Sequence, residues 1–183
     1  MNFDFTDDQQ AIKRTARDFL ADRLKHERWR ELAESGTYDD GLWTEIGELG
    51  WAGIHLDEDV GGQGLGSVEL AILMEELGYA LTPSAFFSSA AASLVLAHAG
   101  SDAQRERWLP GLAAGEVIGT VGLVTDGVAP MVADADRAAV IVLVDGLSGM
   151  VVEAAAAEIE EQPTIDSTRR GRSNTGGSVS SKG

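Results

Sequence analysis

The sequence predicts an α+β protein that is mainly α-helical: an N-terminal helical bundle followed by a small, incomplete β region. Two observations carry this prediction. Residues 83–100 form an alanine-rich run without a fixed charge, which favours a buried helix at the centre of a bundle. From Val117 onward, β-branched apolar segments alternate with Asp-Gly pairs, which is typical of short strands joined by tight turns.

The central run begins with Pro83, which suits a first helical turn, and ends at Gly100, which suits a C-terminal cap. Because the run is apolar on every side, we expect it to be buried on every side. A transmembrane span is the alternative, but it needs about 20 predominantly apolar residues. This run is shorter and contains several polar side chains, so we interpret it as the buried centre of a soluble domain.

Amphipathic helices are predicted before the central run. Thr6 and Gln9 have the spacing of a capping box at the start of the first helix. Two more helices are expected over Glu27–Ser35 and Asp40–Leu49, because Gly36 and Gly50 follow them directly.

A further helix is expected from Ser67, as its cap, to Gly78. Its apolar stripe predicts the buried face, and its acidic residues predict the solvated one. The stripe comprises Leu70, Leu73, Met74 and Leu77, and the acids are Glu69, Glu75 and Glu76. After the central run, Ser101 and Gln104 repeat the capping-box spacing, and we expect the helix that they start to stop at Pro110.

The glycine-rich segment Asp57–Gly66 is predicted to be a loop. A phosphate-binding loop would follow a strand and carry a lysine, whereas three acids precede these glycines and no lysine follows. We therefore interpret the segment as a tight turn between helices.

Three strands are predicted in the C-terminal part, over Val117–Thr125, Ala138–Val144 and Met150–Val152, and Asp145-Gly146 indicates a hairpin between the last two. Glu153–Glu161 has the composition of a helix. Residues 171–183 are rich in Gly and Ser, so we expect a disordered tail.

Composition and charge limit the functions that this chain can have. The 183 residues carry a formal net charge of −16 and contain no cysteine, which excludes disulfides, thiolate metal sites and cysteine nucleophiles. The three histidines (His26, His55 and His98) are too scattered to predict a metal site. From Glu31 to Asp126 the only basic residues are Arg105 and Arg107, so we expect no nucleic-acid partner. Residues 1–10 lack the apolar segment of a signal peptide, and we expect a cytoplasmic protein without a membrane partner.

Several motifs resemble the acyl-CoA dehydrogenase family, over about residues 3–170. Leu56–Gly64 is similar to the family's Pro-Glu-Glu-Tyr-Gly-Gly-x-Gly pattern, and Glu75–Gly78 matches its Glu-Glu-Leu-Gly. The pairs Gly100-Ser101, Gln104-Arg105, Leu109-Pro110 and Gly115-Glu116 follow the family's next helix. The resemblance implies an N-terminal helical domain over residues 1–115 and a shortened middle β-domain over residues 116–170, followed by the tail at 171–183.

The family resemblance also implies FAD as cofactor and an acyl-CoA thioester as substrate. In such enzymes the β-hydrogen leaves as hydride to the flavin, after a carboxylate in a C-terminal four-helix domain has removed the α-proton. The match ends at the Asp166–Arg169 step, so we expect the domain with the catalytic base to be absent and assign no catalytic residue. The expected form is a homo- or hetero-oligomer with an acyl-CoA dehydrogenase-type subunit.

Site residues follow from the resemblance position by position. Val124-Thr125-Asp126 corresponds to the family's Leu-Thr-Glu strand end, which implies flavin contacts from Thr125 and from the backbone of Leu123 and Val124. The early turns of the central helix border the acyl chain in the family, which implies Ser84, Phe87 and Ala91 as substrate contacts. For Thr125 the alternative is an ordinary strand threonine, and for the other three the alternative is packing.

Three functions remain open at this point. The chain resembles an acyl-CoA dehydrogenase that is shortened and inactive alone. A non-catalytic subunit or helical interaction module that completes a partner is the second hypothesis, because half of such a fold would leave an apolar helix face uncovered. A fragment from a disrupted gene is the third, because the composition changes abruptly at Gly171.

Overall fold

The computed structural model describes residues 4–163 and 175–181. In these residues six α-helices are followed by six β-strands, which confirms the predicted mainly helical α+β class. The helices are α1 (Asp7–Arg23), α2 (His26–Ser35), α3 (Asp40–Glu48), α4 (Ser67–Tyr79), α5 (Phe86–Ala99) and α6 (Asp102–Ala113). The strands are β1 (Gly119–Leu123), β2 (Ala129–Val132), β3 (Val140–Asp145), β4 (Ser148–Glu153), β5 (Ala157–Pro163) and β6 (Thr175–Ser181).

Both predicted capping boxes are confirmed at the helix starts. The N–H of Gln9 donates to Thr6 Oγ1 at 3.2 Å, and the N–H of Thr6 donates to Gln9 Oε1 at 3.0 Å; Ser101 and Gln104 exchange the same two bonds before α6. The cap of α4 differs from the prediction. Gly66, rather than Ser67, is the N-cap residue, because Glu69 Oε2 accepts a hydrogen bond from the N–H of Gly66 at 2.9 Å.

The central helix α5 is covered on most but not all of its sides. It starts at Phe86 rather than Pro83 and ends before Gly100. Phe86 is buried, but Phe87 is 57% exposed, so the prediction of burial on every side is wrong. The small residues of the other faces let α6 and β1 approach closely.

The buried serines of α5 are satisfied by specific partners. The Ser93 hydroxyl donates to the Ala90 carbonyl at 3.0 Å, and Ser89 Oγ accepts from the N–H of Gly119 at 3.2 Å. The second of these bonds ties α5 to the start of β1. Buried polar groups of this kind stabilise a fold only when they are paired.

Glu76 of α4 is buried, which corrects the prediction that it faces solvent. Its side chain is 1% exposed and accepts two hydrogen bonds from Arg17 of α1, at 2.8 and 2.9 Å. Lys13 lies 3.6 Å from the same carboxylate. The charge is tolerated inside because a bidentate guanidinium partner reaches it from the neighbouring helix.

Helix α6 continues through Pro110 to Ala113, whereas the sequence predicted a stop at the proline. Pro110 and Glu106 are both exposed, so the carbonyl that the proline cannot satisfy can be hydrated. The N–H of Ala114 donates to the Pro110 carbonyl at 3.0 Å, which closes the last turn beyond the proline.

The strands form two three-stranded sheets, in the orders β1-β3-β4 and β2-β6-β5. β1 is parallel to β3, and the β3–β4 hairpin at Asp145-Gly146 is confirmed. β2 was not predicted. The helix predicted over Glu153–Glu161 is wrong: Ala157–Pro163 is a strand that pairs with β6, and over residues 157–160 exposed side chains alternate with a buried and a half-buried one.

Residues Thr175–Ser181, which we expected to be disordered, form β6 between β5 and β2. Pairing on both edges satisfies their backbone without requiring large apolar side chains.

The Asp166–Arg169 match lies outside the described residues. The division at residues 115 and 170 stays an interpretation.

The glycine-rich loop is a compact turn held by backbone hydrogen bonds. The N–H of Gly64 donates to the Leu56 carbonyl at 2.8 Å, and the N–H of Gln63 donates to the Gly53 carbonyl at 3.0 Å. A Cβ at Gly62 would lie 2.1 Å from the Leu56 carbonyl oxygen, so this close approach requires glycine. Within the described ranges, none of the helices is long and apolar enough to cross a membrane.

Candidate functional site

A cavity of about 430 Å³ lies between the exposed side of α5 and the β1–β2 region; we call it the α5–β1 cavity. Its walls are mostly apolar, with three hydroxyl side chains among them. The lining residues are Phe87, Ser88, Ala91, Thr120, Val121, Leu123, Thr125, Pro130, Met131 and Ala133. None of these side chains carries a charge, so they can bind and orient a ligand but cannot act as a carboxylate base.

Four of the six predicted site residues line this one cavity. Phe87 and Ala91, predicted to contact the acyl chain, face Leu123 and Thr125, predicted to contact flavin, across it. The side chain of Val124 instead packs against the cluster of buried residues around Ile141. Ser84 lines a different cavity, described below.

The position of Thr125 is set by a tight turn between β1 and β2. The N–H of Thr125 donates to the Val128 carbonyl at 2.8 Å, and the N–H of Val128 donates back at 3.1 Å. Asp126 and Gly127, between them, have φ angles of 53° and 80°, which is the signature of a type I′ turn. The predicted turn at Asp126-Gly127 therefore fixes one end of the cavity.

The open edge of β1 offers backbone groups to the same region. The N–H of Val124 donates to the Val144 carbonyl of β3 at 2.7 Å. Because backbone groups alternate in direction along a strand, the N–H and carbonyl of Leu123 point away from β3, toward the open edge. The Thr120 hydroxyl is used within the fold, donating to the Ala133 carbonyl at 2.6 Å.

A second cavity, of about 280 Å³, lies between α4, the α4–α5 connection and the first turn of α5; we call it the α4–α5 cavity. Ser84 and Phe87 line it, together with Tyr38 and Asp134. Asp134 is 4% exposed. It accepts hydrogen bonds from the Tyr38 hydroxyl and the Ser88 hydroxyl, both at 2.5 Å.

Sequence reasoning missed part of both cavities. Met131 belongs to β2, a four-residue strand that contains a proline and gives little sequence signal. Asp134 could not be identified as a buried carboxyl group, because its partners Tyr38 and Ser88 lie 96 and 46 residues away in the chain. A left-handed φ of 56° at Asp134 is likewise invisible in the sequence.

Comparisons with known proteins identify the family. Residues 6–116 match the family described as acyl-CoA dehydrogenase, N-terminal domain. The acyl-CoA dehydrogenase FadE12 of Mycobacterium tuberculosis (strain ATCC 25618 / H37Rv) is 33% identical over 114 residues, which are 61% of this chain and 29% of that protein. The probable acyl-CoA dehydrogenase YngJ of Bacillus subtilis (strain 168) is 31% identical over 130 residues, 67% of this chain and 33% of that protein.

Solved structures share the fold. The ChsE4-ChsE5 complex from Mycobacterium tuberculosis gives a TM-score of 0.82 at 20% identity, covering 100% of this chain and 56% of that one. A glutaryl-CoA dehydrogenase from Mycobacterium smegmatis in complex with FADH2 gives 0.78 at 20% identity, covering 97% and 53%. The chain thus spans about a third of the length of the curated relatives named above and about half that of these solved chains. The family match covers more than half of the residues of this chain, and the chain therefore belongs to the acyl-CoA dehydrogenase family.

Proposed function

We propose that the chain supplies one side of an acyl-CoA dehydrogenase-type site, in which the α5–β1 cavity holds an acyl chain against FAD. The observation that carries this proposal is the convergence of two sets of residues that are distant in the sequence. Phe87 and Ala91 were predicted to contact the acyl chain, Leu123 and Thr125 were predicted to contact flavin, and all four line one cavity.

The residues present fit such a cofactor. Thr125 offers a hydroxyl that makes no hydrogen bond within the described part of the chain, and Leu123 offers backbone groups on the open edge of β1. Flat aromatic ring systems bind well against apolar walls with a few hydrogen-bonding groups at the rim. FAD, when bound, accepts the hydride that leaves the β-carbon of the acyl thioester.

The chain's own contribution is binding and orientation. Phe87 and Ala91 would keep the acyl chain in a water-poor channel, which favours hydride transfer over side reactions. Thr125 would hold the flavin edge through its hydroxyl. We assign no proton-abstracting residue, because the side chains lining the cavity carry no carboxylate.

Titration with FAD tests the proposal directly. The purified chain should quench flavin fluorescence on binding, and Thr125→Val should weaken binding about two- to tenfold, the effect of losing one hydrogen bond. Thr82→Val is the matched control, because Thr82 lines the α4–α5 cavity instead, and it should bind FAD like the wild type. An absence of FAD binding, or equal affinities for Thr125→Val and the wild type, would contradict the proposal.

A second candidate is a non-catalytic subunit that completes a partner acyl-CoA dehydrogenase-type chain. It is favoured by the exposure of three apolar side chains beside the α5–β1 cavity: Phe87 at 57%, Leu123 at 71% and Met131 at 72%. Exposed apolar patches of this kind mark interfaces, and the similar ChsE4-ChsE5 structure is a complex. Light scattering with and without such a partner chain tests it, and an unchanged mass would count against it.

A further inference from the structure

We propose that the α4–α5 cavity is a binding site for a small primary amine, whose ammonium group is anchored by Asp134. This site is distinct from the proposed acyl–flavin cavity, since only Phe87 lines both, and its argument does not depend on the proposed function. The feature behind it is a buried carboxyl group, that of Asp134, at the wall of a cavity.

Both side-chain oxygens of Asp134 accept a hydrogen bond from a hydroxyl group, one from Tyr38 and one from Ser88. Among the ion pairs of the described residues, none involves Asp134; the nearby Arg137 pairs with Asp40 and lies over the Tyr38 ring, 5.2 Å from its centre. A buried carboxylate without a cation is costly, and each oxygen retains a lone pair for a ligand.

A second polar group of the cavity lacks a partner within the described protein. Thr82 Oγ1 is buried and makes no hydrogen bond, although Thr82 lines the same cavity as Asp134. A primary ammonium group carries three N–H donors, so one bound to Asp134 would keep donors for a second acceptor in the cavity, for which Thr82 Oγ1 is the candidate. A neutral alcohol has one donor, and a quaternary ammonium group has none.

The remaining walls define the rest of the ligand. Met74, Leu77 and Phe86 give apolar contacts for a hydrocarbon or aromatic body. Leu81 and Phe87, which are 53% and 57% exposed, border the cavity and leave it open to solvent. The net charge of −16 attracts cations and repels anions at long range, so a cationic ligand is favoured over a carboxylate or phosphate of the same size.

Calorimetric titration of the whole chain with 2-phenylethylammonium chloride tests the proposal, with 2-phenylethanol as the neutral probe of the same shape and 3-phenylpropionate as the anion. All are measured at one ionic strength near pH 7. The amine should bind at least about tenfold more tightly than the alcohol, and the anion should bind most weakly. Equal affinities for amine and alcohol would overturn the proposal.

Variants show whether Asp134 is the anchor. Asp134→Asn keeps the shape and the left-handed φ, which asparagine accepts, and should abolish the preference for amine over alcohol; Asp145→Asn, at an exposed strand end, should retain it. Thr82→Val should reduce amine affinity severalfold and decides the question if Asp134→Asn does not fold. If Asp134→Asn folds and still prefers the amine over the alcohol as strongly as the wild type does, the proposal is overturned. If Asp134→Asn does not fold, an unchanged preference in Thr82→Val overturns it.

Discussion

The carboxylate of Glu76 illustrates how one residue can join two helices across 59 positions of sequence. It is 1% exposed, while its guanidinium partner on Arg17 is half exposed and its second cation, Lys13, is a quarter exposed. A variant that removes only the charge of Glu76 tests how much this carboxylate contributes to stability. Glu76→Gln should lower the free energy of unfolding by about 2 kcal/mol, because hydrogen bonds to charged groups contribute more than neutral ones.

Glu75→Gln is the control for Glu76→Gln. Glu75 also contacts Lys13, at 2.7 Å, but its side chain is 57% exposed, and exposed ion pairs contribute little. Urea unfolding of both variants measures the difference. Equal losses of stability would mean that burial does not distinguish the two carboxylates.

His55 should make the stability of the fold depend on pH. The hydroxyl hydrogen of Ser93 goes to the Ala90 carbonyl, so His55 Nε2, 2.9 Å from Ser93 Oγ, must carry the imidazole hydrogen. His55 Nδ1 is then unprotonated, buried and without a partner in the described part of the chain. Burial lowers the pKa of His55 below its ordinary value of 6.5, and the charge of His98 lowers this pKa further.

The direction of the pH effect follows from that lowered pKa. Well above pH 6.5 the imidazole is neutral in both folded and unfolded chains. As the pH falls through this value, the unfolded chain takes up a proton that the folded chain resists. The free energy of unfolding should therefore fall as the pH drops from about 7.5 to about 5.5, and less so in His55→Gln. Urea unfolding across this range measures how the free energy of unfolding changes with pH in the wild type and in His55→Gln. Identical slopes would show that His55 does not cause the pH dependence.

At the scale of elements, the turn at Asp126-Gly127 should couple stability to ligand binding. Gly127 has a φ of 80°, and no other atom lies within 4 Å of the place that a Cβ would take, so Gly127→Ala tests backbone conformation alone. It should lower the free energy of unfolding by about 1–2 kcal/mol, the cost of a left-handed non-glycine residue. It should also weaken FAD binding, because the turn positions Thr125.

Gly61→Ala is the matched control for Gly127→Ala. Gly61 has a φ of 84° and equally open surroundings, but it lies in the glycine-rich loop, outside the α5–β1 cavity. Both variants should lose similar stability in thermal unfolding, and only Gly127→Ala should lose FAD affinity. Equal FAD affinities would separate the turn from the proposed site.

Elements with local signals were predictable from sequence, and elements that depend on distant partners were not. Capping boxes at Thr6 and Ser101 and the turn at Asp145-Gly146 are local, because a few neighbouring residues satisfy the backbone. The stop expected at Pro110 was wrong, since solvent can hydrate the carbonyl that the proline leaves free. Glu153–Glu161 was predicted to be a helix from its composition, but pairing with β6 makes Ala157–Pro163 a strand.

The candidate site was predictable only in part, for the same reason. Family resemblance pointed to Phe87 and Thr125, yet residue order alone cannot show that they share a cavity. Glu76 looked solvated because its partner Arg17 lies on another helix. Asp134 gave no local signal, since its burial depends on hydroxyls from α5 and from the segment before α3.

At the scale of the whole molecule, an exposed apolar face favours association between copies of the chain, and a large negative charge opposes it. Phe87, Leu123 and Met131 project beside the α5–β1 cavity, and burying them against a second copy of the chain would remove their apolar surface from water. The net charge of −16 opposes that contact through mutual repulsion. We therefore expect an oligomer whose stability increases with salt, because screening weakens the repulsion and leaves the apolar contact intact.

Light scattering coupled to size exclusion measures this balance. The mass should exceed that of the 19.3 kDa chain, and the oligomeric fraction should grow between about 0.05 M and 0.5 M salt as the screening length shortens. Met131→Asp should give the monomer, because it places a charge in the apolar face. Leu147→Asp, at the fully exposed tip of the β3–β4 hairpin, should leave the mass unchanged; a monomeric wild type at every salt concentration, or equal dissociation by both variants, would exclude this face as the contact between copies.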